Sequence, residues 1–372
     1  MKKILTYTSI AGILVLSQSC NKNPDGPQPG PSGCVKQLVE VGNSIDVATD
    51  WDSCHIYHIA NFLGVKAALT IEPGTIVKFD ALKGILVSSP GTLIVNGIAG
   101  HPVIFTSFKD DSYGGDNNGD GNATTPQKGD WQDISFGTSG GNHLDFCKIL
   151  YAGSGSTDLE QALNMGDGEN NTLKNSIIAH TAGGRNQIHA ALDMAWCPQS
   201  CVSQNNTFFD NGHPVTIGIS SDFDNSNVFH NPDNPSQTNV CNGIFVDCVH
   251  SQDQAFLMTW SATEVAFVLG GWTGNSWAFD SNKTLALGFG VVIKFCTHNP
   301  LPGFSLLLPD GEQQLVNRAG LGVAFTSYDD DLWKGDTNGD GLSIGTPGSW
   351  DGIYTAGPSW FNWGNIYFAT VH

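Results

Sequence analysis

Six oxygen-bearing side chains carry the strongest chemical signal in the sequence. Asp116, Asn118 and Asp120 stand at alternate positions before Gly121, and Asp336, Asn338 and Asp340 stand in the same way before Gly341. Three hard oxygens at that spacing, followed by a glycine that permits a sharp turn, suit a calcium ion. The pattern departs from a helix-flanked calcium loop at its twelfth position, where Gln127 in one copy and Pro347 in the other replace the bidentate glutamate. The missing ligands would come from backbone carbonyls, water, or the acidic pairs Asp110–Asp111 and Asp330–Asp331 just upstream. A solvated Asn/Asp/Gly turn without metal is the competing expectation. Crowding up to five carboxylates into one loop without a cation is costly, so a structural Ca²⁺ is expected in each loop.

Other constellations offer less. Asp210, Asn211, Gly212 and His213 combine an acid with a histidine, but glycoside hydrolysis needs two carboxylates flanking one bond and no such pair is identifiable. Asp210 falls in a repeated turn, where Asp and Asn serve their own backbone. A lyase acting on polyuronate needs a basic residue, and the two arginines, Arg185 and Arg318, lie in no motif. His55 and His58 fall on opposite faces of an alternating strand, which argues against a shared metal. The sequence holds neither a nucleophile elbow nor a phosphate-cradling loop nor a dinucleotide fingerprint. No catalytic residue is assigned. Trp131 and Trp350 follow the acidic loops at matching places; an aromatic there could stack on sugar rings, but a plug packing the loop onto its scaffold is favoured.

The elements that must position these loops form an internal repeat. The stretch from Phe105 to Ile134 returns as Phe325 to Ile353, and Leu69 to Phe79 is matched by Leu285 to Phe295, so the related halves cover about 65–150 and 281–372. Val35 to Val41, Cys54 to Ile59, Leu69 to Ile71, Thr75 to Phe79, Ile85 to Val87, Leu93 to Val95 and Val103 to Thr106 carry β-branched and aromatic residues at alternate positions and are broken by Gly, Pro, Asn and Asp. These are strands, and no stretch shows a convincing helical period. Between the halves, apolar strands with polar turns begin near Leu144, Leu173, Asn205 and Asn225, spaced by about 29, 30 and 20 positions. A unit of that size cannot bury its own apolar face, whereas stacked copies share a continuous core. The fold class expected is all-β, a parallel β-helix.

The pairing of L-T-I-x-P-G-T-x-V-K-F with F-T-S-x-x-D-D, D-x-N-x-D-G and G-D-W-x-x-I, followed by N-N-T-F-x-D-N-G coils, resembles the right-handed parallel β-helix proteins found among bacterial surface lipoproteins. That architecture is shared with pectate lyases and polygalacturonases. The resemblance covers most of the chain after residue 34 and implies a fold more than a function, because such solenoids host enzymes, adhesins and binding modules alike. Within the repeat, Leu144 to Leu150 aligns with Ile366 to His372, so the second half is expected to end in mid-coil, either shortened relative to its relatives or docked on a partner.

Composition supplies an address. Met1-Lys2-Lys3, an apolar run from Ile4 to Leu16 and Ser17-Gln18-Ser19 before Cys20 resemble a bacterial lipoprotein signal peptide. The resemblance implies a leader over 1–19, a lipid on Cys20 and a flexible Pro/Gly/Asn tether over 20–33, with the β-helix over 34–372. An outer-membrane or cell-surface lipoprotein is expected, with secretion or a periplasmic location as the alternative. Eight cysteines then remain in an oxidising compartment. Cys34 with Cys54, Cys197 with Cys201 and Cys241 with Cys248 are disulfide candidates, while Cys147 and Cys296 lie in apolar runs and read as buried thiols. A zinc cluster of Cys197, Cys201, Cys241 and Cys248 is disfavoured because none shows the two-residue spacing of a zinc knuckle. Formal charge is −19, and more negative still without Lys2 and Lys3, which disfavours nucleic acid and suits cations. The expected function is a calcium-stabilised, non-catalytic surface module for adhesion or glycan binding. The alternative is a polysaccharide lyase or glycoside hydrolase on the same scaffold.

Overall fold

The computed structural model describes residues 34–155, 160–183, 190–247, 257–270, 276–296, 304–357 and 359–370. The leader, Cys20, the tether and Cys248 lie outside the described residues. Short strands stack in parallel register into sheets of seven, eleven and six strands, joined in the second half by two sheets of three. The chain is a parallel β-helix, and its single helical element among the described residues is one 3-10 turn, Glu312–Gln314.

Alternation in the sequence becomes layering in the coil. Tyr57, Val77, Phe105, Ile149, Ile178 and Phe208 occupy successive rungs of one inward line in the seven-stranded sheet, and all are buried in one continuous core. Single residues in the left-handed region make the corners. Phe146, Asn175 and Asn205 separate the strands of the six-stranded sheet from those of the seven-stranded sheet, and Tyr151, His180 and Asp210 end the latter. Asparagines in register on successive coils bond one another and the backbone beside the turns. Asn142 donates to Asn171 Oδ1 at 2.9 Å, Asn211 donates to Asn239 Oδ1 at 2.9 Å, and Asn206 Oδ1 accepts from the Ser176 amide at 3.0 Å.

The two repeats are not in phase. In the first, Ala68–Ile71, Ile76–Phe79 and Ile85–Val87 visit the six-, seven- and eleven-stranded sheets in turn. In the second, Thr284–Leu287, Val292–Phe295 and Ser305–Leu308 visit a three-stranded sheet, the eleven-stranded sheet and the other three-stranded sheet. The V-K-F strand has therefore moved by one face. The slip falls after Val228, the last among the described residues bridged toward the seven-stranded sheet. There an antiparallel pair, His230–Asn231 with Asn234–Thr238, interrupts the coil. Beyond it, Gly243–Asp247 pairs directly with Ala266–Leu269 in the eleven-stranded sheet, and the described part of the coil between them contributes Leu257–Trp260 to a three-stranded sheet.

Pairing also corrects the alignment of the last coil. Phe105 pairs with Ile149 and Phe325 with Ile366, so Ile366 answers Ile149, not Leu144. Tyr151 and Phe368 then coincide as left-handed corners, with φ of 64° and 61°.

Cys34 and Cys54 form a disulfide with Cα atoms 5.6 Å apart, tying the first described residues to the coil below. Cys197 and Cys201 are buried free thiols in this structure, each donating to a backbone carbonyl, Gly166 and Gly168, at 3.4 Å. Cys147 and Cys241 are also buried and free, and Cys296 is buried.

Candidate metal centre

Each acidic loop leaves the solenoid from an F-T-S strand, Val103–Ser107 or Ala324–Ser327. The first aspartate of each following pair turns inward. Asp110 Oδ2 accepts from the Thr106 hydroxyl at 2.6 Å and Oδ1 from the Ser112 hydroxyl at 2.5 Å, and Asp330 Oδ2 accepts from the Thr326 hydroxyl at 2.5 Å. Both are buried. These carboxylates fix the loop to its strand and are not among the oxygen trios of the acidic turns.

The second aspartate goes the other way. Carboxylate oxygens of Asp111, Asp116 and Asp120 all lie within 4.8 Å of one another, and those of Asp331, Asp336 and Asp340 do the same. Two oxygens on one calcium ion stand at most about 5 Å apart, twice the usual Ca–O distance, so each trio fits a single ion. The loop backbone sets this geometry. Asp116 accepts from the amides of Gly119 at 2.7 Å and Gly121 at 2.9 Å, and Asp336 from those of Gly339 at 2.6 Å and Gly341 at 2.9 Å. Gly121 and Gly341 have φ of 66° and 88°, a conformation a side chain would strain. Asn118 and Asn338 spend their side-chain carbonyls on the amides of Asp120 and Asp340, at 3.3 and 3.2 Å. Among the named oxygens, the structure thus groups Asp111 and Asp331 with the outer two aspartates of each motif. Gln127, at the twelfth position, points its amide at Thr125 instead.

The trios are electrostatically tense. Asp111 Oδ1 and Asp331 Oδ1 are buried without a hydrogen-bond partner. Burial and the like charge of Asp116 push the Asp111 carboxyl above its usual range, whereas the Thr124 hydroxyl and loop amides hold Asp120 below it. Beneath each loop lies a lysine that strand alternation assigns to solvent but the folded-back loop covers completely: Lys78 and Lys294 are both 0% exposed. Lys78 donates to the carbonyls of Asp110 at 2.8 Å and Gly115 at 2.9 Å. Desolvation pushes its ammonium down to about 8 against the opposing pull of Asp110, Asp111 and Asp116. The Lys repeated before Phe in Val77-Lys78-Phe79 and Ile293-Lys294-Phe295 was the available sequence signal for this pair.

Each loop ends at a tryptophan inside the core. Trp131 stacks on Phe79 and Trp350 on Phe295, both at 4.0 Å, and both indoles are fully buried. Their N–H groups donate to the carbonyls of Leu150 at 2.7 Å and Tyr367 at 2.8 Å. They pack the loop, and neither face is open to a sugar.

A cleft of about 450 Å³ opens beside the first loop, lined by Asp80, Lys83, Phe108, Lys109, Asp120 and Asp130 among others. His58 stacks on Phe108 at 3.8 Å and bonds Asp80 at 2.9 Å; Lys109 and Ser107 both bond Asp130. Elsewhere, Asp210 joins not His213 but His180, at 2.7 Å, and Lys128, at 2.7 Å. His213 is buried edge-on against Phe245.

Comparison with known proteins finds no matching family model, no matching curated protein and no matching solved structure.

Proposed function

We propose that the chain is an exported, lipid-anchored β-helix whose acidic loops are held on its faces by calcium, and that it serves as a surface module for adhesion or glycan binding. The carrying observation is the convergence of three carboxylates in each loop, with one buried oxygen left unbonded in each trio. A hard dication satisfies those oxygens and offsets their mutual repulsion. The Cys34–Cys54 disulfide suits an oxidising compartment and so supports the export route. The cleft beside the first loop supplies a recess of glycan dimensions with an aromatic wall, Phe108, and polar groups around it. Asp120 belongs both to that cleft and to the candidate ion site, so ion and ligand would be linked through one loop.

Thermal melts with calcium and with excess chelator test the ion. Calcium at a hundred times its Kd stabilises by about 2.7 kcal/mol per site, so a midpoint that ignores chelator would rule it out.

A second reading is an enzyme acting on polysaccharide, and one observation favours it. His180 is held at Nδ1 by Asp210, with its ring stacked on Tyr151 at 5.2 Å and set edge-on to Phe209 at 5.3 Å. An oriented imidazole of that kind can act as a general base. Incubation with acidic and neutral polysaccharides separates the two: retention without new reducing ends or unsaturated product supports the binding module, and product formation supports the enzyme.

A further inference from the structure

The cleft beside the first loop has two polar groups to spare and an aromatic wall next to them. We infer that it takes a neutral pyranose, with the sugar's apolar face on Phe108 and two neighbouring hydroxyls held between the Asp80 carboxylate and the Lys83 ammonium. This names a ligand class for the glycan-binding reading above and rests on that reading.

The walls of the cleft are set by paired strands. Phe79 pairs with Ser107 in the seven-stranded sheet, so Asp80 and Phe108, the next residue on each strand, leave the sheet side by side. The Phe108 amide donates to the Phe79 carbonyl at 2.8 Å, and the Asp80 amide to the Ile59 carbonyl at 3.1 Å. Lys83 is anchored through its backbone: its amide donates to the Asp80 carbonyl at 3.2 Å, and its carbonyl accepts from the Gln132 amide at 2.7 Å. His58 stacks on one face of Phe108 at 3.8 Å and holds the ring where it lines the cleft. The C–H face of a pyranose suits an aromatic ring held in this way. A site built on such supports has little left to order when a ligand binds.

Most charged groups around the cleft are already bonded within the protein. Asp130 accepts from Lys109 Nζ at 2.8 Å, the Ser107 hydroxyl at 2.7 Å and the Gln127 amide at 2.9 Å. Asp120 accepts from the amides of Asn122, Ala123 and Thr124 at 3.0–3.1 Å. Two groups remain. Asp80 gives Oδ1 to His58 Nε2 at 2.9 Å, and its Oδ2 accepts no hydrogen bond among the described residues. Lys83 Nζ makes neither a hydrogen bond nor an ion pair among the described residues. An acceptor and a donor on one turn suit neighbouring hydroxyls, because each hydroxyl both donates and accepts.

Charge sets the class of sugar. Asp80, Asp120 and Asp130 outnumber Lys83 and Lys109 around the cleft, on a chain of formal charge −19. A uronate would add to that surplus at every ring. A protonated amino sugar would meet the unpaired ammonium of Lys83.

The second repeat separates these groups from the loop device. Lys78, Thr106, Asp110 and Trp131 recur as Lys294, Thr326, Asp330 and Trp350, whereas Asp80, Phe108, Lys109 and Asp130 stand opposite Cys296, Tyr328, Asp329 and Ser349. Tyr328 packs on an apolar cluster of Cys241, Phe245, Val268 and Cys296 instead. Holding an acidic loop on the solenoid therefore does not require the cleft groups.

Calorimetric titration of cellohexaose, mannohexaose and hexagalacturonate into the full chain tests this. A neutral hexamer should bind at least about tenfold more tightly than the galacturonate, which like charge disfavours. Lys83→Met breaks no side-chain bond of the folded protein and should weaken the neutral sugar by about tenfold or more, the loss of one hydrogen bond to a charged group. Phe108→Leu, in a protein that melts as the parent does, should weaken it as well. Tighter binding of the galacturonate, or neutral binding that both variants leave unchanged, would overturn the inference while the glycan-binding reading stands. Absence of heat with all three oligomers would instead strike the glycan-binding reading itself, and this inference with it.

Discussion

Replacing Trp131 by alanine should destabilise the first acidic loop and the coil beneath it by about 3–5 kcal/mol, the range for deleting a large buried aromatic. The structure explains the size. The indole is fully buried and lies flat on Phe79 at 4.0 Å, a stack that contributes about 0.5–1.5 kcal/mol beyond area burial. It also supplies the donor to the Leu150 carbonyl at 2.7 Å. Trp131→Phe keeps much of the stack but loses that donor and part of the buried ring volume, so it should cost less than the alanine, with about 1–3 kcal/mol from the stranded buried acceptor. Because a solenoid opens in segments, native-state hydrogen exchange is the suitable assay. Protection should fall most in Val103–Ser107 and Ile134–Ser135, the strands on either side of the loop. If Trp131→Ala left exchange within about 0.5 kcal/mol of the parent protein while abolishing glycan retention, the residue would be a binding platform and the packing account would fail.

Two further outcomes follow from buried groups. Asp133 is 5% exposed, its Oδ1 lacks a hydrogen-bond partner, and burial pushes its pKa up to about 7. A carboxyl raised in the folded state is penalised when ionised, so stability should fall as pH rises from about 4 to about 7 and then level off. Asp133→Asn should remove that slope and gain up to about 4 kcal/mol at pH 8, three pKa units at about 1.4 kcal/mol each; a variant with the same pH profile as the parent would refute it. Reducing Cys34–Cys54, which closes a sequence separation of 20, should cost about 3 kcal/mol on the loop-entropy model. Exchange should show that loss in Gln37–Glu40 and His55–Ile59, which pair directly, and a loss spread evenly along the solenoid would contradict it.

Much of the scaffold was legible because a β-helix repeats one physical problem. Strands such as Thr75 to Phe79 and Val103 to Thr106 announce themselves by alternation, and the structure places them at Ile76–Phe79 and Val103–Ser107. Asp116 and Asp120 were legible from spacing, since a turn with glycine at its end must fold alternate side chains together. The division of labour between Asp110 and Asp111 was not. Neighbouring aspartates look alike in a sequence, and which one turns inward depends on Thr106, four residues back, offering a hydroxyl. Lys78 and Lys294 were hidden for a different reason: strand alternation assigns them outward, and only the return of the loop over the sheet buries them. The phase slip was illegible because each face of the solenoid asks for the same alternation, so nothing local marks which sheet a strand joins. The last coil was misaligned by the same degeneracy, as Ile366 can match Leu144 or Ile149 by type and only pairing with Phe325 decides.

The most direct test of the central claim is a crystal structure grown in calcium, with the anomalous signal measured at the first loop. The account predicts an ion among Asp111, Asp116 and Asp120, with carboxylate oxygens at about 2.3–2.6 Å. An ordered loop with only water at that position, in calcium well above millimolar concentration, would contradict it.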